Sequence, residues 1–345
     1  MKSRPERDQS SHSLIIAPQW IGDAVMTEPL LRRLAAKGER LTVAALPWVA
    51  PVFRAMPQVA RIIDVPFAHG GLQFSARRRV ARELQGQFDS AYILPNSLKS
   101  ALVPWWAGIP RRVGYLGEAR VGVLTHRLKN PPKDKRPPMV ALYSALSGDT
   151  DLAADRPQLV WPQDLQQQVL VQYGLAAQGY LVFAPGAEYG PAKRWPIAHF
   201  AALAAQVDVP VLLLGSAKEA SLCEDIAAGA PAARVLNLAG QTSLADALAL
   251  IASARAVVSN DSGLMHVAAG FGVPQVAVFG SSSPHHTPPL NARAQVLWLK
   301  NDAAYQPPLD CAPCFERECP LGHTRCLNDI TPDKARSALQ ALIAA

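Results

Sequence analysis

Short runs of β-branched and other apolar residues alternate with amphipathic stretches along this chain, and the alternation occurs in two separate series. The first offers strands at Ser13–Pro18, Leu41–Leu46, Arg61–Val65 and Ser90–Leu94, with helical patterns such as Asp23–Ala36 and Ser75–Gln85 between them. The second offers strands at Tyr180–Pro185, Val209–Gly215, Ala256–Asn260 and Gln275–Gly280, with helices at Pro196–Gln206, Lys218–Ala228, Leu244–Ser253 and Gly263–Gly270. Strand–helix alternation builds parallel sheets, because parallel neighbours must be joined by crossovers. Two such series in 345 residues, a length beyond what one core usually serves, imply an α/β chain of two Rossmann-like domains. The Pro- and charge-rich Lys129–Pro138 and the polar Ser147–Pro162 separate the series, and the domains are expected to be 1–165 and 166–345. Pro29 should kink or restart the first helix. The last helical pattern, Pro332–Ala344, is placed to pack back on the first domain.

Composition narrows the class. Hydrophobic residues make up 49% and charged residues 18%, enough apolar content for a core in each domain. The net charge of +7 suits an anionic partner such as a phosphorylated substrate or a membrane surface, or is simply a solvated basic surface. No apolar run reaches the length of a membrane span, and the polar start lacks the apolar core of a signal peptide. A cytoplasmic location, with reduced thiols, is the expectation.

Three loops carry the chemistry. Pro18-Gln19-Trp20-Ile21-Gly22-Asp23 follows a strand and opens a helix, and ligands of open α/β sheets gather at such strand ends. Taken alone, Asp23 is as readily a first-turn carboxylate that favours the helix dipole. Ser259-Asn260-Asp261-Ser262-Gly263-Leu264-Met265-His266 also runs from strand into helix. Its backbone N–H groups at Ser262, Gly263 and Leu264 would form an anion site fit for a diphosphate. Pro185–Pro196 joins two glycines, three prolines and the Lys193-Arg194 pair in a shaped strand-end loop, whose charge can meet that of a departing diphosphate.

The order of these loops resembles the family-nine glycosyltransferases, the bacterial heptosyltransferases. PQWIGDAV at 18–25, LPNSLKSALVPWWAGIPRRVGY at 94–115, PGAEYGPAKRWP at 185–196 and NDSGLMHVAA at 260–269 carry the likeness, which runs from about residue 13 to 290. The resemblance implies a GT-B fold, two Rossmann-like domains facing a central cleft, with ADP-heptose on the C-terminal one. It implies an inverting transfer of heptose onto the inner core of lipopolysaccharide, at the cytoplasmic surface of the inner membrane, with no nucleic acid partner. Asp23 would then be the base and Lys193 the cation at the donor phosphates. Asp261 would hold sugar hydroxyls; Ser262, Gly263 and Leu264 would bind the diphosphate with His266 close by. Glu219 would hold the ribose, and Thr242 would meet adenine through its backbone. The anionic, lipid-linked acceptor would suit cations of the first domain, Lys99 and Arg120 among them. No cofactor is required on this reading. A transferase of the same family with another acceptor, a GT-B nucleotide-sugar epimerase and a non-catalytic nucleotide-binding module remain as alternatives.

The chain departs from that pattern near its end. Cys311, Cys314, Cys319 and Cys326 lie close together with His323 among them, which reads as a structural zinc site or as reduced thiols. The Asp149-Thr150-Asp151 pair lies in a polar stretch rather than at a strand end, a poor place for a catalytic cation. Arg77-Arg78-Arg79 reads as a solvated helix face or a membrane contact.

Overall fold

The computed structural model describes residues 11–67, 71–132, 135–152, 155–230 and 234–344. The first ten residues, and Lys133 and Asp134 of the first linker stretch, lie outside them. The described strands form two six-stranded sheets in which every pairing is parallel. The first sheet holds β1 (His12–Ile16), β2 (Arg40–Ala45), β3 (Val59–Asp64), β4 (Ser90–Ile93), β5 (Arg111–Tyr115) and β6 (His126–Leu128), in the order β3-β2-β1-β4-β5-β6. The second holds β7 (Leu181–Ala184), β8 (Val211–Leu213), β9 (Val235–Asn237), β10 (Ala256–Asn260), β11 (Gln275–Val278) and β12 (Ala294–Leu297), in the order β12-β11-β10-β7-β8-β9. Both sheets wind outward from a central pair, so each has one point where strand order reverses, between β1 and β4 and between β7 and β10. Crevices at the carboxyl ends of such points are where open α/β sheets bind ligands. The fold is α/β, with two doubly wound parallel sheets.

The central strands are apolar because both faces are covered. All of β4, β7, β10 and β11 is buried, and the second core includes Phe183, Trp195 and Phe200, with the Trp195 and Phe200 rings 4.9 Å apart. The edge strands β6 and β9 are short and half-exposed, and β5 opens with two arginines. None of these, nor β12, shows the apolar run from which the interior strands were read.

Packing divides the chain into two compact units. One comprises the described residues up to Gln19, Thr27–Arg136 and Val140–Asp155; the other comprises Trp20–Met26, Pro137–Met139 and the described residues from Arg156 onward. Two expectations change. The chain passes to the second unit at Arg156 rather than at 165/166, because Leu159 already lies against Gly270, its N–H donating to that carbonyl at 2.8 Å. The last helix, Pro332–Ala344, packs on the second sheet rather than on the first domain: Ala335, Ala338, Leu339 and Leu342 are buried in the second core. Pro29 acts as expected. The helix over Ile21–Met26 ends at Thr27, and a new one, Glu28–Ala36, begins with the proline in its first turn.

No helix among the described residues is long and apolar enough to cross a membrane.

Candidate active site

Within the second unit, the crevice between β7 and β10 is a cavity of about 320 Å³. Its walls include Gly186 and Glu188 after β7, Gly215 and Glu219 after β8, Thr242 before the Leu244–Ala252 helix, and Ser262–Leu264 after β10. The sequence-predicted Glu219, Thr242, Ser262, Gly263 and Leu264 thus share one cavity. Ser262 caps the Gly263–Gly270 helix with extended backbone and no side-chain cap bond. The helix start therefore presents its N–H groups without a side-chain acceptor, a favourable end for an anion.

Glycine makes the space. A Cβ on Gly186 would stand 1.7 Å from Glu219 Oε1, so the Glu219 side chain occupies what a side chain at 186 would fill. Glu219 is held from its other side by Ser216, whose N–H and hydroxyl donate to Oε2 at 2.7 and 3.0 Å.

Asn260 closes the 185–196 loop. It donates from Nδ2 to the Pro185 carbonyl at 2.6 Å and accepts at Oδ1 from the Trp195 N–H at 2.9 Å, tying both ends of the loop to β10. Trp195 is buried, and its indole N–H donates to the Ile330 carbonyl at 2.8 Å. Between these anchors Lys193 reaches Asp261, Nζ to Oδ2 at 2.6 Å, while Thr287 donates to Asp261 Oδ1 at 3.4 Å. The Asp261 side chain is almost wholly buried and that of Lys193 mostly so. Asn260, Trp195 and Thr287 were not assigned roles from sequence; Asn260 and Trp195 stood inside the quoted blocks, but their partners are remote along the chain.

The Asp23 helix, Ile21–Met26, belongs with this unit rather than with the first sheet. Its Gly22 meets the Gly263–Gly270 helix so closely that an added Cβ would stand 2.7 Å from His266 Cδ2, and a Cβ on Gly263 would stand 2.9 Å from that of Ile21. Missing side chains on both helices permit this approach. It carries the half-buried Asp23 on a helix joined to the one whose start lines the cavity. Burial pushes the His266 imidazole down to about 4, Asp261 opposing and Lys193 reinforcing the shift. His266 is therefore neutral at pH 7.

In the first unit the crevice between β1 and β4 is smaller, about 40 Å³, and Lys99 is among its lining residues. Arg77 lines it too. Far from lying on a solvated face, it is buried, with Nε donating to the Leu72 carbonyl at 2.8 Å and its guanidinium 4.1 Å from the Phe67 ring centre. Arg120 departs from expectation. It has no exposed surface, and its guanidinium donates to the carbonyls of Pro95 and Tyr115 and to Asn96 Oδ1, fastening loops instead of facing an acceptor.

The Asp149 carboxylate is engaged by Lys37 at 2.7 Å and Arg33 at 3.2 Å, and Lys37 with Ser147 holds it down to about 2. The cysteines Cys311, Cys314, Cys319 and Cys326 line one small cavity with His323, Ala192 and Ser281. Among the described residues no group of three or more His, Cys, Asp or Glu is placed to hold a metal ion. Burial, and then the neighbouring thiols, push Cys326 up to about 11, and it packs as a small protonated apolar group.

Known proteins share this architecture. The model of glycosyltransferase family 9 (heptosyltransferase) matches residues 77–325. The chain is 40% identical to lipopolysaccharide heptosyltransferase 2 of Escherichia coli over 96% of its own length and 98% of that protein's. It is 37% identical to lipooligosaccharide heptosyltransferase 2 of Haemophilus influenzae over 96% and 99%. The structure of E. coli ADP-heptose LPS heptosyltransferase II superposes with a TM-score of 0.82 at 37% identity, covering 96% of this chain and 98% of that one. With a family match across most of its length and relatives alike from end to end, the chain belongs to glycosyltransferase family 9, the heptosyltransferases.

Proposed function

We propose that this chain transfers L-glycero-D-manno-heptose from ADP-heptose to heptosyl-Kdo2-lipid A, adding the second heptose of the lipopolysaccharide inner core. The observation that carries the reading is the glycine-lined cavity after β7 and β10, walled by Glu219 and a helix start with no side-chain cap bond, with the Lys193–Asp261 pair on the loops that follow the same two strands. Near end-to-end likeness to enzymes named for this activity supports the choice of donor and acceptor.

The Glu219 carboxylate suits the ribose hydroxyls, and the Thr242 backbone, in the same cavity, would meet adenine. The N–H groups of Ser262, Gly263 and Leu264 suit the diphosphate. Asp261 would accept from heptose hydroxyls, with His266 behind it as a neutral packing group. The Asp23 carboxylate takes the proton of an acceptor hydroxyl as that oxygen forms its bond to the anomeric carbon. The bond from that carbon to the β-phosphate oxygen breaks on the opposite face, and ADP leaves with the electron pair, inverting the centre. Lys193 and the helix start meet the leaving charge, so no metal is needed for that step. A positioned base contributes about 10²–10⁴-fold, and fixed positive charge a comparable amount. Lys99 and other cations of the first unit would engage the anionic acceptor, with the protein on the cytoplasmic face of the inner membrane by peripheral contact.

The test is incubation with ADP-heptose and a panel of truncated core acceptors, read by mass. Addition of one heptose to the acceptor already carrying one is expected, and it should survive a chelator. Heptose added elsewhere, conversion of the donor without acceptor, or activity lost to chelator and restored by magnesium would each overturn a stated part of the reading.

A further inference from the structure

The cysteine-rich segment 311–326 lies against the loop that carries Lys193, and the contacts fall on the residues flanking that lysine. Ala192 has both backbone polar groups tied: its N–H donates to the Arg317 carbonyl at 3.1 Å, and its carbonyl accepts from Ser281 N–H at 3.2 Å. The Ser281 carbonyl in turn accepts from Phe315 N–H at 2.7 Å, closing the circuit on the same segment. Gly190 lets the segment abut, since a Cβ there would stand 2.5 Å from the Arg317 carbonyl oxygen.

The side chains continue the arrangement. Tyr189 donates its hydroxyl to the Phe315 carbonyl at 2.8 Å. Its ring lies 5.4 Å from the Lys193 ammonium and 5.6 Å from the Arg317 guanidinium, both within cation–π range. A lysine head sits on a flexible four-carbon stem, so a fixed position must come from contacts. Asp261 supplies one such contact. The Tyr189 ring supplies the second, and the ring is itself held by the cysteine-rich segment.

We infer that the segment 311–326 is a positioning element for transfer, setting the Lys193 ammonium through Tyr189. The inference rests on Lys193 as the cation that meets the leaving diphosphate. Tyr189 and Arg317 are positioning residues; the charge that acts is that of Lys193.

The full-length chain is used throughout. Tyr189→Leu should lower kcat about five- to tenfold with donor KM within about twofold of wild type, since the contact matters as ADP departs. Tyr189→Phe keeps the ring but drops its hydrogen bond to Phe315, so it should recover only part of that loss. In a Lys193→Met background, Tyr189→Leu should cost nothing more. Equal loss in both backgrounds, or a change confined to KM, would overturn the inference. A readout independent of turnover is acylation of Lys193 by acetic anhydride, followed peptide by peptide. Tyr189→Leu and Arg317→Ala should speed modification of Lys193 severalfold, with exposed Lys218 as the unchanged reference. Unaltered Lys193 labelling in both variants overturns the positioning role. A fully active Lys193→Met enzyme with faster labelling in those variants would instead overturn the catalytic assignment of Lys193 and uphold the positioning.

Discussion

The crevice between β7 and β10 is about 320 Å³ and has Gly186, Gly215 and Gly263 in its wall, whereas its counterpart between β1 and β4 is about 40 Å³ and has Arg77 and Lys99 in its wall. The two sheets share one strand order, and both crevices lie at its reversal. Topology therefore fixes where a ligand can enter, and the loops decide what kind. An absent Cβ at Gly186 leaves room for the Glu219 carboxylate, and one at Gly263 lets the Asp23 helix sit close against the helix start in the second unit. Buried arginine gives the first unit an anion-seeking but nearly filled pocket. Buried charge differs in the same way. The first unit buries arginines that stay charged, and the second buries a histidine that stays neutral.

The largest expected effect tests where the chemistry lies. Asp23→Asn should cut turnover by at least about 10²-fold while ADP affinity, measured by calorimetry, stays near wild type. Turnover close to normal would remove Asp23 from its role and leave the second crevice as a binding site only.

Next in size is an acid sensitivity belonging to the second unit. The folded His266 is held near 4 and an unfolded imidazole titrates near 6.5, so the unfolded chain gains the proton first as pH falls. The stability this provides is complete above about pH 6.5 and declines toward pH 4, by on the order of 3 kcal/mol. Urea unfolding of wild type and His266→Gln across that range should show a shallower slope in the variant. Parallel slopes would mean that the buried imidazole is not the titrating group.

A smaller effect isolates the space itself. Gly186→Ala should weaken ADP about tenfold by displacing the flexible end of Glu219, with thermal stability little changed. An unchanged Kd would show that the nucleotide does not use that carboxylate. The smallest effect belongs to the first crevice: Lys99→Ala should raise acceptor KM about threefold and leave donor KM alone. A shift in donor KM instead would erase the division between the two pockets.

Much of this was legible in the sequence. The interior strands announce themselves as apolar runs because both faces are buried, and the 185–196 and 259–266 loops by glycine and proline at strand ends. The edge strands β6, β9 and β12 were not legible, being short and half-exposed. Arg77 and Arg120 misled for one reason: a charged side chain reads as solvated, and only the fold reveals the carbonyls that permit its burial. The Asp23 helix was assigned to the sheet it follows, since sequence adjacency cannot show that Gly22 and Gly263 meet. The partners of Tyr189 and Asn260 are likewise remote in the chain.

The Ile21–Met26 helix sets an order on biosynthesis. A chain made at about 5–20 residues per second exposes this segment well before Gly263 and His266 leave the ribosome, a wait on the order of ten seconds or more. During that interval β1 and the Glu28–Ala36 helix can join the nascent first unit while the glycine-bearing turn between them has nothing to seat against. The stretch that bears Asp23 is thus made well before its partners and is among the last to find its place. Cutting the gene between the halves would strand it with the wrong fragment.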